Sequence, residues 1–249
     1  MQWEFSQIRN AQNLLFQDLT ILPRRNLNQD YSFKGLAING SRDISFANCT
    51  FEGDPDEYTR ENAISVGSCG NLRWENCRFR HFKNGVTCSE TDPYNPGSSY
   101  TEGEFVLSHC RFEDVEAFAI RFQNIPFDLD FILENSVFTQ VSTIAVFQPV
   151  LPTVPNDQFR VSIRANQLDA KIAGLGFLPG LNGKGSRVQI ANNFFFNRAT
   201  VNVLDDFGRY EIVSNSFSNP GTYCVAVNSA EKASMLNNSF AGYSSGPGI

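Results

Sequence analysis

The residues of this sequence that could do chemistry on a substrate are few, and Arg121 is the first to consider. It is the one cation in an alternating stretch, Ile120-Arg121-Phe122-Gln123. An arginine side chain can hold a carboxylate through two parallel hydrogen bonds, so Arg121 is a candidate for binding a ligand that carries a carboxylate and for catalysis. The adjacent acids Asp205 and Asp206 are the other catalytic candidates, although an acidic pair followed by Gly208 is also typical of an ordinary turn.

Six polar or aromatic side chains are candidates for binding a substrate. Four of them lie in alternating stretches that predict strands, and two lie in the segment 89–104, which is rich in Gly, Pro and Ser and predicts a long loop. Long loops on a rigid scaffold often bind ligands, and aromatic rings in them can stack on sugars. The six candidates are Thr87, Arg121, Gln123, Asn202, Tyr94 and Tyr100.

An acidic segment between residues 52 and 61 is a candidate calcium site. Ca²⁺ takes several oxygen ligands, often from carboxylates in such a loop. The alternative is a solvated loop in which Arg60 balances part of the charge. No other cofactor is expected. The four candidate ligands are Asp54, Asp56, Glu57 and Glu61.

One short pattern recurs nine times along the chain and predicts how these residues are positioned. An apolar residue, a spacer and a large apolar residue are followed by a polar pair and a closing apolar residue, as in the successive copies 44–51 and 72–79. A self-similar period of this length indicates stacked repeats. The closing residues are Ile21, Phe51, Phe79, Phe112, Phe138, Leu168, Phe195, Phe217 and Phe240.

The polar pair before each closing residue predicts a tight corner. Asn48-Cys49 and Asn192-Asn193 are two examples. Asparagine tolerates left-handed backbone and bonds to nearby backbone groups, and stacked amides can bond to one another along a column. We therefore expect Asn192→Leu to destabilise the fold by leaving buried amides unpaired.

A second alternating stretch follows each copy and predicts a strand with one outward side. No long segment has a helical period. The residues predicted to face outward are Asn39, Ser65, Thr87, Ser89, Arg121, Gln123, Ala145, Phe147, Gly176, Asn202, Ala226 and Asn228. None of them is a carboxylate, whereas glycoside hydrolysis normally uses two.

The Asn-Cys-x-Phe and Asn-Asn-x-Phe corners and the Ala-Ile-x-Val strands resemble those of the right-handed parallel β-helix proteins, the pectin lyase-like superfamily. The resemblance covers nearly the whole chain and implies an all-β solenoid of about nine coils with Asn/Cys and Phe ladders. It also implies that a substrate would lie along the first strand of each coil. The superfamily's hydrolase, lyase and epimerase motifs do not occur, and the two histidines, His81 and His109, are expected to be surface and structural residues.

Composition narrows the class of protein. The 249 residues, of which 41% are hydrophobic, predict one elongated domain spanning 1–249. A net charge of −6 argues against nucleic acid as a partner, and no apolar run is long enough to cross a membrane. The start of the chain predicts a strand rather than a secretory signal. Exposed solenoid ends leave two alternatives: a piece of a longer protein, or ends covered by neighbouring domains or other subunits of a homo-oligomer.

Six cysteines could form disulfides, but their placement argues against this. Cys49, Cys77 and Cys110 fall in one inward column, where cysteine behaves as a small hydrophobe. Parallel side-chain directions suit a disulfide poorly. Core thiols favour assembly in a reducing compartment, as for a cytoplasmic or phage protein, and the localisation is otherwise open.

Two hypotheses of function follow. The first is a carbohydrate-active β-helix that binds, and as a polysaccharide lyase or glycoside hydrolase would cleave, an extended polysaccharide in the groove around Arg121 and Gln123. The second is a non-catalytic structural or receptor-binding protein, such as a phage tailspike-like or virion surface component. The same coil serves both kinds of protein, so the fold does not decide between them.

Overall fold

Strands follow one another around three sides of a solenoid in the computed structural model of this chain. The structure describes residues 2–3, 7–22, 35–53, 55, 59–89, 102–125, 129–149, 159–178, 187–218 and 223–242. The strands in these residues are β1 Gln2–Trp3, β2 Gln7–Arg9, β3 Gln12–Gln17, β4 Thr20–Ile21, β5 Leu36–Asn39, β6 Arg42–Ala47, β7 Thr50–Glu52, β8 Thr59–Gly67, β9 Gly70–Glu75, β10 Arg78–Ser89, β11 Glu102–Ser108, β12 Arg111–Ile125, β13 Leu129–Glu134, β14 Val137–Pro149, β15 Arg160–Arg164, β16 Gln167–Phe177, β17 Arg187–Ala191, β18 Phe194–Asn197, β19 Val201–Val213, β20 Ser216–Ser218, β21 Val225–Leu236 and β22 Ser239–Ala241. Among these residues there is no helix that could cross a membrane.

Each strand pairs in parallel with a strand one repeat away, which builds three sheets. The first face comprises β2, β5, β8, the later parts of β10, β12, β14 and β16, and the beginnings of β19 and β21. The second face comprises β3, β6, β9, β11, β13, β15, β17 and the ends of β19 and β21. The third face comprises β1, β4, β7, β18, β20, β22 and the beginnings of β10, β12, β14 and β16. The prediction of an all-β parallel β-helix is confirmed.

The closing apolar residues of the repeats form a continuous inward column on the third face. Phe51, Phe79, Phe112 and Phe138 stack with ring centroids 4.7, 4.6 and 4.7 Å apart. A second stack on the first face joins Phe122, Phe147 and Phe177, at 5.7 and 5.2 Å. In-register parallel pairing places identical positions of successive repeats directly over one another, so aromatic residues at one position become a ladder.

The corners between the second and third faces explain the repeated polar pair. The residue at the first position of all nine pairs has a positive φ, between 51° and 57°: Asp18, Asn48, Asn76, His109, Asn135, Ala165, Asn192, Ser214 and Asn237. The second position points inward, and Asn166, Asn193 and Asn215 are buried there. Asn192 itself is exposed, so the expectation that it is a buried ladder amide is wrong; Asn193 is that residue.

The cysteine column predicted from the sequence occupies this same inward position. Cys49, Cys77 and Cys110 are buried, and each thiol donates to backbone carbonyl oxygens nearby. The hydrogen bond that the Cys77 thiol donates to Cys110, together with desolvation, raises the pKa of Cys77 to about 12. The Cys77 thiol therefore remains neutral near pH 7. No disulfide joins the three cysteines.

Candidate functional site

The outward side chains of the first face form a straight, in-register column. It runs through Ala37, Ser65, Thr87, Arg121, Val146, Gly176, Asn202 and Ala226. Thr87, Arg121 and Asn202 therefore share one side of the solenoid, as expected. Ala145 and Phe147 do not: both are fully buried, and Val146 takes the outward place beside Arg121. The prediction that Ala145 and Phe147 face outward is wrong.

A cluster of amide and hydroxyl groups lies next to Arg121 on this face. The side-chain amide of Asn84 donates to the side-chain oxygen of Asn62 at 2.9 Å, and the Thr87 hydroxyl donates to the same oxygen at 3.1 Å. The Asn62 amide in turn donates to the Ser65 hydroxyl at 2.8 Å. We call Asn62, Ser65, Asn84, Thr87 and Arg121 the first-face patch.

One acceptor in the first-face patch lacks a donor. The side-chain oxygen of Asn84 is buried and accepts no hydrogen bond from the described residues. A buried oxygen without a donor is costly, and an ordered water or a ligand hydroxyl usually supplies one. Neither Asn62 nor Asn84 stands out in the sequence as a binding residue, because both precede the recognisable strand core.

Arg121 is held by an aromatic ring rather than by an acid. Its guanidinium carbon lies 5.0 Å from the centroid of the Phe118 ring, a cation–π arrangement that orients the group. No acidic side chain among the described residues forms an ion pair with it, so its fork of N–H donors is open to a ligand. Gln123, two residues further along β12, points to the same side and pairs in register with Ser89.

Several predicted site residues lie outside the described residues. Tyr94 and Tyr100 are among them, as are Asp54, Asp56 and Glu57. The backbone of Glu61 belongs to β8 and that of Asp205 and Asp206 to β19, but their side chains are not described. Where side chains are described, no group of three or more His, Cys, Asp or Glu could hold a metal ion. Calcium binding by the segment 54–61 stays a prediction.

The sequence interpretation missed a groove on the second face. Its volume is about 650 Å³, and one of its walls is an in-register row on β13, β15, β17, β19 and β21. The residues of that row are Asp130, Arg160, Arg187, Arg209 and Lys232. Beside them lie Ser162, Gln189, Glu211 and Ser234, which also line the groove. We call this feature the second-face groove.

Two ion pairs lie along the second-face groove, one at Arg160 and one at Arg209. Arg160 bonds to both carboxylate oxygens of Asp130, one of them at 2.8 Å, and Arg209 bonds to both oxygens of Glu231, one at 2.8 Å. The hydrogen bond from Arg209 lowers the pKa of the exposed Glu231 carboxyl. The sequence did contain a sign of this row: a basic residue begins each of the copies Arg160-Val161, Arg187-Val188, Arg209-Tyr210 and Lys232-Ala233.

Solved structures with this fold match the chain over most of its length. An exopolygalacturonase from Thermotoga maritima superposes with a TM-score of 0.65 and 12% identity, over 96% of this chain and 55% of its own. PfbA, a surface adhesin of Streptococcus pneumoniae, matches with a TM-score of 0.50 and 13% identity, over 92% of this chain and 70% of its own. The chain thus spans little more than half the length of the exopolygalacturonase.

Sequence comparisons give no further relatives: no family model matches the chain, and no curated protein does. The fold of the chain is a parallel β-helix, like that of these structures. At 12% and 13% identity, these likenesses show the fold alone.

Proposed function

We propose that this chain binds an extended polysaccharide along its first face, with the first-face patch as the centre of the site. The observation that carries the proposal is the position of a cation, Arg121, beside the half-buried amide and hydroxyl groups of Asn62, Ser65 and Thr87. A sugar offers hydroxyls for these groups and, where it is acidic, a carboxylate for the guanidinium.

The straightness of the site supports an extended ligand. Thr87 and Arg121 occupy successive rungs about 4.8 Å apart, and the column continues over several repeats. A polymer with a regular repeat can meet such a column at several points, whereas a compact ligand cannot. The fold likeness to an exopolygalacturonase is consistent with a polysaccharide as the ligand.

Cleavage of the bound chain is a further step that the patch alone does not supply. Lyases need a base, and glycoside hydrolases need an acid and a second carboxylate. The in-register outward column of the first face, which runs from Ala37 to Ala226, includes neither a carboxylate nor a histidine. Asp205 and Asp206 remain the candidates for an acid at the edge of this face, with Arg121 as the group that would neutralise a uronate.

A non-catalytic receptor-binding role is the second candidate function. It is favoured by the same scarcity of acids and bases among the described residues of the face and by the fold likeness to a surface adhesin. Such a protein would bind a glycan at the first-face patch without cleaving it.

The test measures binding and cleavage separately. The intact chain is titrated by calorimetry with oligosaccharides from acidic and neutral polysaccharides, and the same samples are assayed for new reducing ends with and without Ca²⁺. We expect Arg121→Gln and Asn84→Leu each to weaken binding about tenfold or more, because the first removes a direct partner and the second removes the amide that positions the Asn62 side chain. Arg73→Gln, an equal change of charge on the second face, is the control and should not alter binding at this site.

Each outcome has a stated meaning. New reducing ends that disappear in Asp205→Asn or Asp206→Asn would support a catalytic protein. Binding without cleavage would support the receptor-binding role. The proposal fails if no oligosaccharide binds, or if Arg121→Gln and Asn84→Leu bind as tightly as the intact chain does.

A further inference from the structure

We propose that the second-face groove is a separate binding site for the oxyanion groups of an anionic polysaccharide, with Arg187 at its centre. The oxyanions would be carboxylates or sulfate esters. This site lies on a different side of the solenoid from the first-face patch, so it does not rest on the function proposed above.

The first argument is the alignment of charge. Arg160, Arg187 and Arg209 are direct partners on neighbouring parallel strands, and Lys232 continues the row on the next strand. Like charges directly opposite one another on adjacent strands destabilise a sheet. Four successive cations, about 4.8 Å apart, are an unfavourable arrangement unless negative groups lie over them.

Among the described residues, ion pairs engage only two of the four cations of this row. Asp130 engages Arg160, and Glu231 engages Arg209. Among the described residues, neither Arg187 nor Lys232 has an acidic group within ion-pair distance. The four cations of the row face three acids, Asp130, Glu211 and Glu231, although the chain as a whole has a net charge of −6. Glu231 attracts Arg187 only from beyond ion-pair distance, so Arg187 and Lys232 carry the charge that no direct ion pair offsets.

The second argument concerns the shape and the polar lining of the groove. Arg187 is exposed and stands beside Gln189, while Ser162 and Ser234 occupy the same column on other strands. Guanidinium groups bind planar oxyanions through two parallel hydrogen bonds, and hydroxyl and amide groups suit the hydroxyls of a sugar. A straight row on a rigid sheet favours a ligand whose charges repeat at regular intervals.

Other anionic polymers fit the groove less well. The rings of Phe131 and Tyr210, which belong to its floor, are buried, so the described lining offers no aromatic face for stacking nucleobases. The strands β13, β15, β17 and β19 are hydrogen-bonded to neighbours on both sides, so an acidic peptide could not add to the sheet beside Arg187 as a further strand. An anionic saccharide can bind without an aromatic stacking surface and without a free strand edge.

The experiment titrates the intact chain with three probes of equal length: a sulfated heparin oligosaccharide, an oligogalacturonide and a neutral malto-oligosaccharide. We expect at least one anionic probe to bind, the neutral probe not to bind at this site, and the affinity to fall as salt rises. Arg187→Gln should weaken binding of the anionic probe about tenfold to a hundredfold, as loss of a charge-assisted pair does. Whichever anionic probe binds identifies the source of the oxyanion.

Two control variants distinguish binding in the second-face groove from nonspecific electrostatic attraction and from binding at the first-face patch. Arg73→Gln removes an exposed arginine of the second face that does not line the groove, and Arg121→Gln removes the cation of the first-face patch. Neither should change the affinity attributed to Arg187. The proposal is overturned if neither anionic probe binds at low salt, or if Arg73→Gln weakens binding as much as Arg187→Gln does.

The Tm of Arg187→Gln distinguishes a binding role of Arg187 from an effect of this residue on the fold. Because Arg187 is flanked by cations, Arg187→Gln should leave the Tm unchanged or raise it slightly. Loss of anion binding without loss of Tm supports a binding role. A lower Tm together with weakened binding of all the probes would mean that Arg187 acts on the fold, which contradicts the proposal.

Discussion

The side-chain amide of Asn166 donates a hydrogen bond of 2.9 Å to the side-chain oxygen of Asn193, one repeat further along the solenoid. The same oxygen accepts the backbone N–H of Asn166, also at 2.9 Å. Asn193 repeats both bonds to Asn215, and its amide also donates to the carbonyl of Ile163. Each buried amide thus has its donors and its acceptor satisfied by neighbours one repeat away, which is what makes a polar column stable inside the solenoid.

Asn193→Leu should therefore be strongly destabilising. It removes the acceptor used twice by Asn166 and the donor used by Asn215 and by the carbonyl of Ile163. Each buried group left unpaired costs about 1–3 kcal/mol, so the free energy of unfolding should fall by several times the effect of an average surface change. Urea denaturation followed by circular dichroism measures the loss.

Asn192→Gly is the matched control for this prediction. Asn192 is exposed with a φ of 57°, a conformation that glycine adopts without strain. We expect a change of no more than about 0.5 kcal/mol. An equal loss in both variants would mean that the buried amide of Asn193 contributes no more than the exposed amide of Asn192, which contradicts the role of the ladder.

Alkaline pH should weaken the fold through its buried thiols. Burial raises the pKa of Cys69 from 9.0 to about 11. In the unfolded chain the thiol loses its proton near pH 9, while in the folded chain it keeps it until about pH 11, so the unfolded state is favoured increasingly over that interval. The stabilisation is complete below pH 9 and is lost as the pH rises through the folded pKa.

The measurement is the urea midpoint at pH 8 and at pH 10.5 for the intact chain and for Cys69→Ala. Other groups titrate in this range, so the informative quantity is the difference between the two proteins. The intact chain should lose more stability than the variant does. Identical losses would exclude the Cys69 thiol as a source of the effect.

Two glycines of β16 should differ in how much stability the protein loses when each is replaced by alanine. A Cβ atom at Gly174 would overlap the backbone oxygen and nitrogen of Thr200, whereas one at Gly176 would make ordinary contacts with the Val146 side chain at 3.6 Å and the Ala145 carbonyl oxygen at 3.9 Å. Gly174→Ala should cost about 1–3 kcal/mol or more, because backbone cannot move aside as a side chain can. Gly176→Ala should be nearly neutral. Thermal denaturation of the two variants tests this, and equal Tm values would contradict the close approach of β16 to Thr200.

Much of the architecture could be predicted because the solenoid repeats its environment. The closing phenylalanines and the corner pairs recur at the same structural position, so nine weak local patterns support one another. Which residue of a corner pair is buried could not be decided in the same way. Both Asn192 and Asn193 are asparagine, and only the observed φ of Asn192 separates their roles.

The outward side of a strand was predictable only where polar and apolar residues alternate. In Ile120-Arg121-Phe122-Gln123 the alternation is clear, and Arg121 and Gln123 face outward as predicted. In Ile144-Ala145-Val146-Phe147 every residue is apolar, so sequence pattern alone does not set the side. The pairing of Val146 with Arg121 sets it instead, and it turns Phe147 inward.

Phe147→Ala should be among the most destabilising single substitutions in the chain. The Phe147 ring is fully buried and stacks between those of Phe122 and Phe177. Replacing it with alanine leaves a cavity inside the ladder, a change that typically costs about 3–5 kcal/mol. Phe194→Ala is the matched control, because Phe194 is 52% exposed on the third face. This variant should lose little stability. Equal urea midpoints for the two variants would mean that Phe147 is not enclosed by the ladder.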